Sequence, residues 1–553
     1  MTILLALLIA AADPAAAYQD LIASKVPEVE APGRVATLVQ SLDHLGMPRS
    51  ATVLLAALAS EPGQPLGVRS AAGERLLARA GEDSALVHFL LAEQSDPGKL
   101  PPVLAVAVAR RHLERALQMT PPEEGAAFET MRQPDAGLQQ VSATALDKDL
   151  AAEMGLKAPE PAVPEPVAPV EKIPEPVQRE LDAARALAAS VSAGDPAEGD
   201  AREVSGLAAL AAGDPEGATK EFLAIADLPV SSGDKAATER RDKAYLQLAR
   251  LAYQRGDDVL AGRLYERVGR GAPEWLDALF ESSWAHFRRA EDEKALGNLL
   301  TLHAPFFQER FFPESFILKA LIMYENCRYP DARAALAEFQ QRYQPLHDGL
   351  VQALAAVPTP QAAADLLLRG PVGVQQGVPA AAREEVARIE QDGDLRGTLV
   401  AAVGLAQEID AIDARPESFR SSALIGRVAP PARQARMRLL TAAGHKLIAR
   451  IDAERAALRE LLAQSLRLSY EIAGREKELA STPDAVPYLQ GRPKPPEVAD
   501  DEELWPFQGE YWRDELGSYQ YQLARRCKRP REPLQTASQP EPAPKKVAAS
   551  PKN

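Results

Sequence analysis

Histidine and cysteine are the residues most able to act as bases, nucleophiles or metal ligands, and this sequence contains seven and two of them. The histidines stand at positions 44, 88, 112, 286, 303, 347 and 445, so no two have the helical spacing of a metal-binding pair. There is no Cys-x-x-Cys pair, phosphate-binding Gly-rich loop, Gly-x-Ser-x-Gly elbow or kinase signature. His286, beside Trp284 and Phe287, is interpreted as a packed helix residue. We therefore expect no enzyme, no catalytic residue, no metal and no cofactor.

The two cysteines, Cys327 and Cys527, are 200 residues apart. An oxidising compartment would favour a disulfide between them if they meet in the fold. We favour two separate buried thiols and keep the disulfide as the alternative, because sequence does not show proximity.

Composition limits the class of protein. A chain of 553 residues predicts three or four structural units. With 63 basic and 78 acidic residues the net charge is −15, which repels nucleic acid. Alanine-rich, charge-rich sequence with 5% aromatic residues and few alternating β-branched runs predicts an all-α fold.

The first residues, "MTILLALLIAAADPAAAYQD", contain an apolar run and then Ala15-Ala16-Ala17 before Tyr18. This pattern predicts a signal peptide at 1–17 and a periplasmic location, with a buried N-terminal helix as the alternative. The run is too short to span a bilayer, and no other stretch approaches the necessary ~20 apolar residues, so no direct membrane span is expected.

The chain then divides by composition. Residues 18–156 predict an N-terminal helical-repeat domain. Residues 157–178, "KAPEPAVPEPVAPVEKIPEPVQ", predict a Pro-rich linker, because repeated prolines favour an extended and semi-rigid chain. Residues 179–346 repeat internally, as "GLAALAAGDPEGATKEFLAIADLP" and "YLQLARLAYQRGDDVLAGRLYERVGRGAP" show.

These repeats carry small, aromatic and turn residues at matching places. Ala261 and Ala295 are 34 residues apart, and the gaps on either side are 43 and 37 residues. The predicted packing residues are Gly206, Ala218, Phe222, Tyr245, Ala249, Gly256, Ala261, Tyr265, Pro273, Ala295 and Ala332. The region resembles the tetratricopeptide repeat (TPR), which implies a helical solenoid with a protein-binding concave face. On that resemblance the groove residues would be Gln247, Arg250, Gln254, Glu281, His286 and Lys319.

Residues 347–480 predict a helical hairpin or coiled coil. Apolar residues recur at three- and four-residue spacing, and Pro430-Pro431 predict where the long helix begins. The apolar residues are Met437, Leu440, Leu447, Ile451, Leu458, Leu461, Leu468 and Ile472. A preceding helix over about 395–412 favours an antiparallel hairpin within one chain over a homodimeric coil, although the oligomeric state stays open.

Aromatic residues crowd into 481–527, predicted as a Pro-rich turn and an aromatic capping helix, before a disordered tail at 528–553. The aromatic residues are Trp505, Phe507, Tyr511, Trp512 and Tyr519. A helix from about Gln508 to Arg526 would place Trp512 and Leu516 on one face with Tyr519 and Leu523. We favour an internal cap on the solenoid, and a grip on a partner is the alternative.

The pattern as a whole resembles cell-envelope repeat proteins of gliding and predatory proteobacteria. That resemblance implies a non-enzymatic scaffold that binds other envelope proteins in a multi-protein machine, with gliding motility as one setting. The alternatives are a periplasmic carrier or assembly factor for outer-membrane proteins and, without export, a cytoplasmic TPR adaptor.

Overall fold

We describe a computed structural model of the chain, over residues 32–61, 63–81, 84–92, 100–119, 173–231, 233–307, 310–481, 507–524 and 533. These ranges contain helices and no strand, which confirms the predicted all-α class. None of their helices combines the length and the apolar character needed to cross a bilayer. The predicted signal peptide, most of the predicted linker and nearly all of the predicted tail lie outside the described residues.

Twenty α-helices are present in the described ranges. They are α1 Pro32–His44, α2 Pro48–Ser60, α3 Leu66–Ala78, α4 Ser84–Ala92, α5 Pro102–Met119, α6 Glu175–Ala189, α7 Glu198–Ala211, α8 Pro215–Ala226, α9 Lys235–Gln254, α10 Asp258–Tyr265, α11 Trp275–Arg288, α12 Asp292–Leu302, α13 Glu314–Glu325, α14 Tyr329–Ala356, α15 Pro360–Leu368, α16 Gly370–Gly377, α17 Arg383–Glu390, α18 Gly393–Asp413, α19 Glu417–Arg420 and α20 Ala423–Ser481.

The chain forms two units, each assembled from segments that are distant in sequence. Unit 1 comprises the described residues within Met1–Glu124, Lys172–Ala212 and Gln340–Ala463, and unit 2 comprises those within Gly213–Phe339 and Gln464–Asn553. This grouping differs from the boundaries predicted at residues 156 and 346. Those boundaries followed changes in composition, and composition does not report which distant helices pack together.

Unit 1 has a core to which both ends of its sequence contribute. Leu55 of α2, Leu86 of α4, Leu405 of α18 and Leu439 of α20 are all fully buried in it. A second apolar cluster joins α5, α6 and α7. The predicted N-terminal domain and the predicted C-terminal hairpin therefore share a core.

A carboxylate from α18 caps the first turn of α2. No side chain of the N-cap residue, Met47, bonds to this turn. Instead the backbone N–H groups of Arg49 and Ser50 donate to the Glu408 carboxylate at 2.9 and 2.7 Å. Glu408 is only 5% exposed, and its negative charge satisfies N–H groups that a helix start leaves without partners. This contact fixes α18 on the N-terminal helices.

Ion pairs show that α18 and the first part of α20 run in opposite directions. Arg433 pairs with Asp413 at 2.5 Å near one end, and Arg450 lies 3.6 Å from Asp392 near the other. The predicted start of the long helix at Pro430-Pro431 is wrong, because α20 begins at Ala423 and contains both prolines. They remove two backbone donors from a helix of 59 residues, and the remaining hydrogen bonds and packing maintain it.

The apolar stripe predicted along this helix is buried except at one position. Met437 is 65% exposed. The buried members are Leu440, Leu447, Ile451, Leu458, Leu461, Leu468 and Ile472. Gly444 also has a packing reason, since a Cβ there would lie 1.9 Å from the Pro360 carbonyl oxygen at the start of α15. The close approach of α15 therefore requires glycine at this point of the stripe.

We call α8–α13 together with residues 329–339 of α14 the array; it lies in unit 2. The turns before α8, α10, α12 and α14 each contain one residue in the left-handed conformation, with φ between 57° and 79°. These residues are Gly213, Gly256, Ala290 and Cys327, each five positions before the alanine predicted to pack in its repeat. The backbone thus repeats with the spacing predicted from sequence, although two of the four turns have no glycine there.

The residues predicted to pack the array occupy its interior to different degrees. Ala218, Ala249, Ala261, Ala295 and Ala332 are fully buried. Phe222 and Tyr265 are 1% and 4% exposed, and Gly206 is buried in α7 of unit 1. Tyr245 and Gly256 are half-buried, and Pro273 is exposed.

Residues 507–524, which we call the C-terminal segment, form turns and irregular chain instead of the predicted helix. The helix prediction is therefore wrong over these residues. Gly509 and Gly517 have φ of 104° and 88°, outside the range of a right-handed helix. The segment buries Leu516 and Leu523 as predicted, but Trp512 is 56% exposed.

Candidate partner-binding surface

A buried ion pair joins two helices of the array. Arg250 of α9 donates from Nε and Nη2 to the two oxygens of Glu281 of α11, at 2.9 and 2.6 Å. Their side chains are only 13% and 9% exposed. Burial and the Glu281 charge raise the pKa of the neighbouring Tyr265 well above its usual value. The pair sets the spacing of α9 and α11 from inside the array.

A second polar link occurs at two places 34 residues apart. Asp258, at the start of α10, lies 3.2 Å from Arg288 near the end of α11. Asp292, at the start of α12, accepts a 2.8 Å hydrogen bond from Asn326 after α13. Burial raises the pKa of Asp258 to about 6, and the charge of Arg288 opposes this shift. Each link joins the second helix of one hairpin to the first helix of the next.

These contacts determine how accessible the predicted groove residues are. Besides the Arg250–Glu281 pair, His286 is buried, 2.7 Å from Glu291, and burial lowers the pKa of its imidazole. Gln254 is exposed, and Gln247 and Lys319 are half-buried. Of the six predicted groove residues, three take part in buried contacts, two are half-buried and one is exposed. A polar residue type on these helices therefore did not identify the accessible positions.

The C-terminal segment packs on α12, the helix that follows α11 in the array. The Gly517 N–H donates to Thr301 Oγ1 at 3.0 Å, and the Tyr521 N–H donates to the Glu293 carbonyl at 3.3 Å. Arg270, in the loop before α11, donates to the Asp514 carbonyl at 2.9 Å. The array thus holds this segment largely by its backbone.

Gly297 makes this packing possible. A Cβ at position 297 would lie 1.9 Å from the Tyr519 carbonyl oxygen, so the segment crosses α12 where the helix has no side chain. The corresponding position of the preceding hairpin, 34 residues earlier, is the exposed Arg263. Gly297 was missed in the sequence analysis; the available signal was a glycine within a helix at a position where the neighbouring repeat has a long charged side chain.

The segment and the loop after α12 together expose aromatic rings on unit 2. Phe507, Tyr511 and Tyr519 form a cluster of edge-to-face pairs with ring centroids 5.2 to 6.0 Å apart. Phe507 is 43% exposed, and Phe306, under the Arg513 guanidinium, is 44% exposed. With Trp512 these rings form what we call the ring surface. Trp505 of the predicted cap lies outside the described residues.

Cys327 is disulfide-bonded, so the favoured interpretation of a separate thiol at this position is wrong. Its backbone is also the left-handed residue in the turn before α14. The other cysteine of the sequence, Cys527, lies outside the described residues, and its pairing with Cys327 stays a prediction.

Unit 1 contains a cavity of about 410 Å³ between α4, α5, α7 and α18. Its two arginines are paired with acids: Arg110 lies 2.9 Å from Glu203, and Arg111 lies 2.6 Å from Asp394. Burial, with the nearby Arg111 charge, lowers the pKa of the lining His88 to about 4. Because these charges are balanced within the protein, we place the candidate site on unit 2. In the described part of the chain, no group of three His, Cys, Asp or Glu side chains is placed to hold a metal ion.

No protein-family model matches the chain, and neither the curated proteins nor the solved structures include a match.

Proposed function

We propose that the protein is a non-enzymatic scaffold whose array resembles TPR proteins and whose ring surface binds other proteins of the cell envelope. The observation that carries the proposal is the ring surface. Three large aromatic side chains, Phe306, Phe507 and Trp512, remain 43% to 56% exposed in the same region of unit 2. Aromatic side chains are enriched among the residues that contribute most to binding, and clustered exposed rings are uncommon without a partner.

The rigidity of the array supports this proposal. The ring surface rests on the segment held by α12, and α12 is linked to its neighbours by buried polar contacts and fully buried alanines. A surface held in one conformation loses less conformational entropy on binding.

We propose export to the periplasm on the pattern of residues 1–17. The disulfide at Cys327 is in keeping with this location, because disulfides persist mainly in oxidising compartments. Fractionation followed by N-terminal sequencing tests this; a mature chain beginning at Tyr18 is expected, and an unprocessed cytoplasmic chain would contradict it.

The scaffold function is tested by combining Phe507→Ala with Trp512→Ala in the full chain. In-cell crosslinking and co-purification should show at least a roughly tenfold loss of bound envelope proteins, as expected for hot-spot residues. The melting temperature should fall less than for a buried aromatic residue, because the two side chains are 43% and 56% exposed.

The matched control is Tyr470→Ala, since Tyr470 is a 72% exposed aromatic residue on α20, outside the ring surface. It should leave co-purification unchanged. Equal loss of partners in the control, or no loss in the double variant, would contradict the ring surface as the binding site.

A further inference from the structure

The contacts that hold the C-terminal segment on the array reach its backbone in and just after a turn, Glu515–Ser518, in which the Ser518 N–H donates to the Glu515 carbonyl at 3.0 Å. Arg270 Nη1 donates to the Asp514 carbonyl at 2.9 Å, and its Nη2 donates to Ser518 Oγ at 2.7 Å. Thr301 and the Glu293 carbonyl accept the N–H groups of Gly517 and Tyr521. Carbonyl and N–H groups are present in any peptide, so this part of the recognition does not depend on side chains.

Selectivity comes from three positions of the segment. Leu516 and Leu523 are 7% and 3% exposed, and they are its only buried side chains among the described residues. Gly517 has φ of 88°, and a Cβ there would lie 2.9 Å from the Trp275 ring. The surface therefore fits a chain that turns at a Leu-Gly step and has a second Leu six residues after the glycine.

The surface that receives this chain is particular to α12. Gly297 leaves the helix backbone open to the Tyr519 carbonyl, and Thr301 provides the hydroxyl acceptor one turn later. In the preceding hairpin the positions 34 residues earlier are Arg263 and Arg267, both exposed. A peptide crossing α10 and the turn after it in the same way would meet two long side chains, so the repeat alone does not account for the surface on α12.

We propose that α12, with Arg270 and Trp275, is a binding site for a partner protein's peptide that turns at a Leu-Gly step, and that the chain's own C-terminal segment occupies it as an intramolecular competitor. The partner peptide has the chemistry of the present occupant: a Leu-Gly step and a second leucine six residues beyond the glycine. The existence of such a partner rests on the scaffold function proposed above. The segment can be displaced because its two leucines are its only buried side chains, and the rest of it is partly or fully exposed. The ring surface is therefore formed while the segment is docked, and the α12 site is open only after the segment has left.

The test uses the full chain with Leu516→Asp and Leu523→Asp, which releases the segment without altering α12. The probe is a synthetic peptide of residues 508–526 with a fluorescent label, and binding is followed by anisotropy. Cys327 is disulfide-bonded, so a reducing buffer is used to ensure that no disulfide limits release of the segment or traps the peptide. The peptide should bind the double variant at one-to-one stoichiometry and at least ten times more tightly than it binds the unmodified chain. A peptide with aspartate at both leucine positions is the matched negative probe.

Adding Gly297→Val to the double variant should abolish binding, because the new side chain would occupy the position of the Tyr519 carbonyl. If the double variant does not fold, as judged by hydrogen exchange in α9–α12, Gly517→Val replaces it as the releasing change. A folded released variant that does not bind the peptide, or binding that survives Gly297→Val, overturns the proposal and leaves the segment as a permanent cap. If that result is found while the Phe507 and Trp512 changes still remove partners, the scaffold function is retained and only the α12 site is excluded.

Discussion

Ala261 has no exposed surface and packs in a cluster with Leu246, Ala249 and Ala285. Ala261→Glu would place a carboxylate among these side chains without a partner, at a cost on the order of 3–5 kcal/mol in the free energy of unfolding. Urea denaturation of unit 2 measures this loss. Arg263→Glu, two residues away on the exposed side of α10, is the control and should unfold close to the unmodified chain. Equal midpoints for both variants would show that the repeat register is wrong.

The buried carboxyl group of Glu454 makes the stability of unit 1 depend on pH. Burial and the neighbouring Glu385 raise the pKa of Glu454 to about 8, and Arg388 and Arg450 oppose the shift. Arg388 of α17 lies 2.5 Å from Glu454 and also pairs with Glu385. The pKa of Glu454 in the folded protein is above its unfolded value of 4.5. The protonated Glu454 therefore contributes its full stability below pH 4.5, and this contribution is lost as the pH rises through about 8.

Glu454→Gln should therefore flatten the pH dependence of unit 1 stability. At pH 8.5 the variant should be more stable than the unmodified chain by on the order of 2 kcal/mol, and at pH 4 the two should be similar. Thermal unfolding from pH 4 to 9 tests this. Glu384→Gln, at an exposed position of α17 beside Glu385, should keep the original profile. An unchanged slope in Glu454→Gln would exclude this carboxyl as the cause.

At the scale of helices, the Arg250–Glu281 pair tests what fixes the array. Arg250→Met leaves Glu281 buried without its cation and should cost about 3–5 kcal/mol in the free energy of unfolding. Adding Glu281→Leu should restore most of that loss, because a buried ion pair can be replaced by apolar side chains of similar volume. Chemical denaturation of the single and double variants measures the coupling. A double variant as unstable as Arg250→Met would show that the instability of the single variant does not come from the unpaired charge of Glu281.

The helices differ in how well the sequence predicted them. The array was predictable because small residues and turns recur together, as Ala261 with Gly256. In the C-terminal segment the spacing of Trp512, Leu516 and Leu523 fits a helix, but Gly517 adopts a conformation that interrupts one. The missed signal was glycine in the middle of the stripe. The accessibility of the predicted groove was not predictable, because Arg250 and Glu281 look like surface residues until the packing of α9 and α11 is known.

At the scale of the molecule, each unit is built from distant parts of the chain, and this was the least predictable feature. Helical periodicity reports which face of a helix is apolar and not which distant helix covers it. The contact between Glu408 and the start of α2 joins residues 358 positions apart, and neither sequence stretch identifies the other. Domain boundaries drawn at Pro-rich sequence therefore separated helices that share a core.

This arrangement predicts how truncation affects the protein. A chain beginning at residue 173 would lack α1–α5, which share the core of unit 1 with α18 and the first part of α20. Leu405 and Leu439, both fully buried there, would become exposed to solvent. Hydrogen exchange should show lost protection in α18 and in residues 423–463, while α9–α12 of unit 2 stay protected. If α18 and α20 remained protected, they would form the independent hairpin that the sequence suggested, and the shared core would not be needed for their stability.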